Sequence, residues 1–356
     1  MKPTLLLDVG AGTLDLMWTD GREKPFFKAV AASPVVTMAR RIERIDGPLI
    51  VGGREMGGGP VSRALVERAR RQRVVMTIQA AATIHNDPRR VRERGIEVVT
   101  PEQAAAIAAT GEFTHLELGD IDRARILSLL DALGVAEAPR RLGICLQDHG
   151  RAPAGTSQLE YRHRSWVQQL EREPRLERLL IPSTEIDETF SRLRSAAAEA
   201  ALLEGIEDIW LMDSGMAAVL GGWQEAAARG AGAAIIVDVA TSHTMAALVE
   251  AGRLCGFFEM HTSDLEPSLF DEMIDALLQG RLEHRQVVSR GGHGAWQGRA
   301  PAGRPQLMLL VGPQRRLLAG SRHPFMPGAP LGDNMMAGCA GLLAALESTP
   351  ASAGHR

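Results

Sequence analysis

Short apolar runs broken by glycine- and proline-bearing segments recur along most of the chain, and they predict alternating strands and helices. Thr4–Leu7, Leu14–Thr19 and Phe26–Val30 read as three consecutive antiparallel strands. Short strands over Leu49–Val51, Val74–Ile78 and Glu97–Val99 then alternate with helices near Val61–Arg70 and Pro101–Ala108. Ile121–Leu133 reads as a helix with Asp120 as its N-cap and Gly134 as its stop, and Leu142–Gln147 as a strand. After a loop at Arg151–Gly155, helices are expected over Ser165–Arg172 and Ile186–Glu204. The C-terminal part restarts with strands at Ala234–Val237, Met245–Val249 and Arg253–Met260. Helices over Leu265–Leu278 and Leu331–Leu346 follow, separated by an irregular stretch at Gly291–Gly303, and the composition of 348–356 predicts a flexible tail.

Two of these strand sets end in an aspartate. In Leu5-Leu6-Leu7-Asp8-Val9-Gly10-Ala11-Gly12-Thr13-Leu14-Asp15, Asp8 stands at a strand tip, where a carboxylate can meet a hydrated cation. Gly10 and Gly12 permit close backbone approach to an anion, and Thr13 adds a hydroxyl. The second set, Ala234-Ile235-Ile236-Val237-Asp238-Val239-Ala240-Thr241-Ser242-His243-Thr244, repeats the plan with Ala240 in place of a glycine and with Thr241 and Thr244 as hydroxyl donors. Asp8 and Asp238 at opposing tips could hold magnesium through water. Asp15, inside the return strand, reads equally well as a turn-stabilising side chain.

The motif Asp-x-Gly-x-Gly-Thr-x-Asp resembles the first phosphate motif of the actin, sugar-kinase and heat-shock ATPase superfamily. The Asp238 segment resembles its second phosphate motif. Ile209–Ala218 resembles the connecting strand and helix, and Leu307–Pro313 the strand and turn that close on the nucleoside through Gly312. The resemblance implies an α/β fold of two ribonuclease-H-like halves, residues 1–213 and 214–347, with an α/β insertion at about 32–140. It implies ATP and magnesium as cofactors and phosphoryl transfer to a small molecule in the sugar-kinase-like manner. A switching ATPase acting on a partner protein, and a degenerate member that binds without turnover, are the alternatives. The segments around Met56–Pro60, Gln147–Gly150, Gly291–Gly294 and Gly332–Met336 also resemble a prokaryotic family labelled pyruvate formate-lyase activating enzymes.

Composition narrows the chemistry. A radical-type activating enzyme needs closely spaced cysteines for an iron–sulfur cluster, whereas Cys145, Cys255 and Cys339 are each about a hundred residues apart. With only Lys2, Lys24 and Lys28 as lysines, a Gly-Lys-Ser/Thr phosphate loop is excluded. The formal charge of −3 offers no nucleic-acid surface, and no apolar run approaches the roughly 18 residues of a membrane span. A cytoplasmic location and a nucleotide plus small-molecule ligand set are expected, with a protein partner or homodimer open.

Among the remaining candidates, Gly57-Gly58-Gly59 removes side chains and exposes N–H groups, which suits a phosphate or carboxylate of a second substrate. Asp148 and His149 follow an apolar strand and are candidates for general base and proton shuttle. Each reads as well as a turn-forming residue. His243, His261 and His293 lack metal-ligand spacing, and Glu259 with His261 on one strand face makes too few ligands for a metal.

Overall fold

The structure, a computed structural model, describes residues 2–21, 26–153 and 156–349. Part of the expected loop (154–155) and most of the expected tail (350–356) lie outside them. The strands in chain order are β1 (Thr4–Val9), β2 (Thr13–Thr19), β3 (Phe26–Ala32), β4 (Leu49–Gly53), β5 (Val74–Thr77), β6 (Glu97–Val99), β7 (Thr114–Leu118) and β8 (Arg141–Leu146). They continue as β9 (Ile181–Pro182), β10 (Asp208–Met212), β11 (Ala233–Val239), β12 (His243–Glu250), β13 (Arg253–His261), β14 (Gly294–Gln297), β15 (Leu307–Val311) and β16 (Met326–Pro327).

These strands build two six-stranded sheets, ordered β3-β2-β1-β8-β10-β9 and β14-β13-β12-β11-β15-β16, and a four-stranded sheet β6-β5-β4-β7. In each large sheet a three-strand antiparallel meander is extended on the side of its first member by two parallel strands, with β9 and β14 added antiparallel at sheet edges. That is the ribonuclease-H-like arrangement, and its repetition in one chain is the actin-like fold. The four-stranded sheet is wholly parallel and lies between β3 and β8 in sequence.

Alternation along β1 shows why the first sheet needs cover on both faces. Leu5, Leu7 and Val9 pack outward against Ile126, Leu130 and Leu193, while Leu6 points the other way. Leu6, Met17 and Met212 meet the helices Ser214–Ala228 and Ala337–Ser348. Those same helices receive Ala234, Ile236 and Met245 from the second sheet, so two helices fill the space between two sheets. They touch through glycine: a Cβ on Gly341 would run into the Ala217 carbonyl, and one on Gly221 into the Ala337 carbonyl. The chain's last helix therefore lies against β1 and β8 of the first sheet, far from its own strands in sequence.

Several expected boundaries shift for local reasons. The helix placed at Ile121–Leu133 runs from Arg123 to Ala132 with Asp122 as its cap, while Gly134 takes the left-handed φ of +71° that ends it. Asp120 instead accepts from the Gly57 N–H at 3.2 Å and pairs with Arg192 at 2.7 Å. The helix expected from Ile186 starts at Ser191, because the Asp187 carboxylate turns the chain by accepting from Thr189 N–H. The terminal helix starts at Ala337, since Pro330, Gly332 and the Asp333 cap hold the preceding residues in short turns. The irregular Gly291–Gly303 stretch contains the edge strand β14.

The glycine contact between the two central helices sets a stability prediction. Gly341→Ala should lower unfolding free energy by about 1–3 kcal/mol or more, as overpacking does, because backbone carbonyls cannot move aside as a side chain can. Urea unfolding of Gly341→Ala beside Gly47→Ala, a control in open space at φ +75°, measures it. The control should cost less.

Candidate functional site

A cleft of about 430 Å³ lies where the ends of β1, β8 and β11 converge, and it is lined by residues of both large sheets and of the Gly57–Gly59 segment. Two hairpins face each other in it. The Gly10 N–H donates to the Thr13 carbonyl at 2.9 Å, and the Ala240 N–H to the His243 carbonyl at 3.2 Å, so both tips form the same two-residue turn. Alanine in place of glycine does not prevent the second turn. The tips touch: a Cβ on Gly12 would lie 2.6 Å from the Thr241 hydroxyl.

Three carboxylates converge at the base of these turns. Asp8 and Asp15 are direct cross-strand partners in the β1–β2 pair, where like charges repel. Asp238 enters from the second sheet at the equivalent tip. Burial, then repulsion from Asp15 and Asp238, pushes the Asp8 carboxyl well above its ordinary range. Burial raises Asp15 to about 7, and burial with repulsion from Asp15 and Asp213 raises Asp238 to about 7. One Asp15 oxygen is buried with no hydrogen-bond partner among the described residues. Such a set has a strong unmet demand for a cation, and oxygen donors suit a hard one. Glycine keeps the approaches free, since a Cβ on Gly338 would strike the Asp8 carboxylate and one on Gly312 would lie 2.5 Å from Asp238 Oδ1.

The structure brings most of the sequence-derived candidates to this cleft. Gly10, Thr13, Gly57, Gly58, Gly59 and Thr241 line it, as do Asp148, His149 and Gly312. Thr244 does not. It is fully buried, with its hydroxyl 3.0 Å from that of Thr262, because its side chain faces the interior of the second sheet. Asp148 is also otherwise engaged. Its two oxygens accept from the backbone N–H groups of Gly150 at 2.8 Å and Leu193 at 2.9 Å, which anchors the Ser191–Ala200 helix. The Gly57 N–H is likewise taken by Asp120, and Arg192 fills the space a Cβ there would need.

Two features were missed in the sequence. Glu55, immediately before the glycine run, lines the cleft with its carboxyl raised by burial. Its position beside Met56–Pro60 is a signal, although a lone Glu before glycines is weak. Arg162, on the Gln158–Arg172 helix, is nearly inaccessible and bridges Asp213 at 2.7 Å and Glu259 at 2.8 Å. Burial opposes the charge on Glu259, but Arg162 outweighs it and holds the carboxyl far below its usual range. Asp213 also caps the Ser214–Ala228 helix, accepting from Gly215 and Met216 N–H. No sequence spacing links these three residues.

A family model described as "Putative pyruvate format-lyase activating enzyme (DUF1786)" matches residues 56–317. No curated protein matches the chain. Among solved structures, the chain is similar to a PilM–PilN type IV pilus biogenesis complex, at 13% identity, covering 98% of this chain and 99% of that one with a TM-score of 0.44. It is also similar to a ROK hexokinase from Thermus thermophilus, at 16% identity, 98% and 100% coverage and a TM-score of 0.31. A Ppx/GppA family member from Aquifex aeolicus follows at 6% identity, 87% and 66% coverage and a TM-score of 0.29. The fold assignment rests on the strand order of the two sheets. Among the described residues no helix is long and apolar enough to cross a membrane.

The raised carboxyls give a pH prediction with a definite sign. Asp238 binds its proton more tightly folded than unfolded, so the stability linked to it is complete below its unfolded value of 3.8 and is lost as pH rises through about 7. In cation-free buffer Asp238→Asn should be more stable than the wild type at pH 8. That advantage should shrink by up to ~1.4 kcal/mol per pH unit as pH falls from about 7. Denaturant unfolding of both proteins across pH 5–8, roughly the range set by this titration, reads the difference.

Proposed function

The chain belongs to the family whose model it matches, and we propose that it is an ATP- and magnesium-dependent enzyme of the sugar-kinase-like branch, transferring a phosphoryl group to a small molecule. The observation that carries the reading is the convergence of half-buried Asp8 with buried Asp15 and Asp238 beneath two equivalent hairpin tips. Asp8 and Asp238 would hold magnesium through its water shell, and the bound ion supplies neutralisation of the phosphate tail. The orphaned oxygen of Asp15 and the glycine-cleared approaches fit a cation at this place.

The chain's own residues then have separate tasks. Thr13 and Thr241 offer hydroxyls to the phosphates from the two tips, with Gly10 and Gly12 shaping the first turn. Gly312, held to Asn334 by a side-chain bond of 3.2 Å and with φ of +85°, turns the backbone after β15 toward the nucleoside. Gly58, Gly59 and His149 line the part of the cleft that would receive the acceptor. Glu55 takes the proton of the acceptor hydroxyl in place of Asp148, whose oxygens are already held by backbone. In this reading residues 1–213 and 214–347 are the two halves that close on the nucleotide, and the module near 32–140 sets acceptor specificity.

Titration calorimetry of ATP with magnesium tests the reading. The wild type should bind, chelation of magnesium should weaken binding, and Asp8→Ala should weaken it at least about ten-fold, ~1.4 kcal/mol. ADP release that depends on an added acceptor would establish phosphoryl transfer. Absence of binding to the wild type sinks the proposal, and acceptor-independent ADP release would replace it with a switching ATPase.

A further inference from the structure

At one side of the same cleft the fold gathers histidines that are far apart in sequence. His149 follows β8, His243 opens β12, His261 ends β13, and His293 immediately precedes β14. His243 and His261 are cross-strand partners, and the His293 backbone N–H is fixed to the Glu259 carbonyl at 2.9 Å. One ring nitrogen from each of His149, His243 and His293 lies within 4.8 Å of the others. His261 adds a fourth ring, with its Nε2 3.0 Å from Nε2 of His293.

We propose that His149, His243 and His293 form a binding site for a divalent transition-metal cation of the zinc class, with a further coordination position open toward the cleft. A zinc–nitrogen bond is about 2.0–2.1 Å, which puts tetrahedral ligands roughly 3.4 Å apart, so the rings need to close by on the order of 1 Å. His149 and His243 line the cleft, which leaves room for an oxygen ligand, whereas His293 is 4% exposed and forms the inner wall. Its Nδ1 is buried without a hydrogen-bond partner among the described residues.

The surroundings favour a cation. Glu259 Oε2 stands 3.7 Å from His293 Nδ1, too far for a hydrogen bond, and sets a carboxylate beside the rings without occupying that nitrogen. Glu259 is itself held by Gln147 at 2.6 Å and by Arg162 at 2.8 Å. The Arg162 charge is opposed by two carboxylates, Asp213 and Glu259, so the group beside the rings carries a net negative charge. An all-imidazole donor set selects zinc, cobalt, nickel or copper over magnesium, which distinguishes this place from the carboxylate base of the cleft. His149 comes from the first large sheet and the other ligands from the second, so the cation would tie the two sheets together.

Calorimetric titration of zinc into chelator-dialysed, nucleotide-free full chain tests the inference, with the visible spectrum of bound cobalt as a second readout. One zinc per chain is expected, a cobalt spectrum of nitrogen-rich coordination, and a rise in melting temperature on loading. His149→Ala and His243→Ala should each weaken binding at least ten-fold, and a tenfold excess of magnesium should not compete. Exposed His115→Ala should leave the affinity unchanged. His149→Asn and His243→Gln serve where an alanine variant does not melt cooperatively. No binding by the wild type, or affinity unchanged in both ligand variants, overturns the site. Because nucleotide is absent throughout, zinc binding and ATP binding can fail independently of each other.

Discussion

The close contact between the Ser214–Ala228 and Ala337–Ser348 helices governs how the two large sheets face each other. Gly221 and Gly341 let the helix backbones approach until each glycine faces a carbonyl of the other helix. The pair forms a thin layer between the two large sheets, contacted by Leu6 and Met17 on one side and Ala234 and Ile236 on the other. Layer thickness fixes the separation of the sheets, and therefore whether the tips of β1 and β11 can meet. Bulkier residues at the crossing would move Asp8 away from Asp238 while leaving each sheet intact.

With the sheets so placed, the cleft acquires two electrostatic characters. Its base concentrates Asp8, Asp15 and Asp238, whose carboxyls are raised first by loss of water and, at Asp8 and Asp238, also by repulsion from neighbouring carboxylates. Its flank holds neutral imidazoles, with burial driving His149 and His243 down to about 3, beside the Arg162 clamp. The clamp has a structural consequence too. A single guanidinium joins the Gln158–Arg172 helix, the end of β10 and the interior of β13, and it stacks 4.0 Å from the Trp166 ring. A buried charge with two carboxylate partners and few alternatives specifies one arrangement of these elements more than it adds stability.

Much of the fold is legible in the sequence because the central strands of the two large sheets are buried on both faces and read as apolar runs. β1, β2, β6 and β11 fall where the pattern places them, β15 where the resemblance places it, and the two aspartate-tipped hairpins are recognisable without any contact information. Helix starts were less legible. Asp120 and Asp122 are equally good caps in one dimension, and only the demand of Gly57 and Arg192 for a carboxylate decides between them. Asp148 reads equally as a base or a turn-former; its bond from Gly150 N–H realises the turn, while the one from Leu193 N–H, about forty residues on, is invisible along the chain.

The local chemistry is written along the chain: two turns of the same shape, an aspartate at the tip of each, and a glycine run before a proline-started helix. Those depend on backbone conformation and on neighbours within a few residues, which periodicity and residue type encode directly. Tertiary structure alone decided which groups share a dielectric environment. The helix layer carried Asp238 to the first sheet, beside the Asp8–Asp15 pair that the hairpin itself sets. His149 meets His293 across the cleft for the same reason. Proximity between residues more than a hundred positions apart is a property of packed layers, and no spacing along the chain records it.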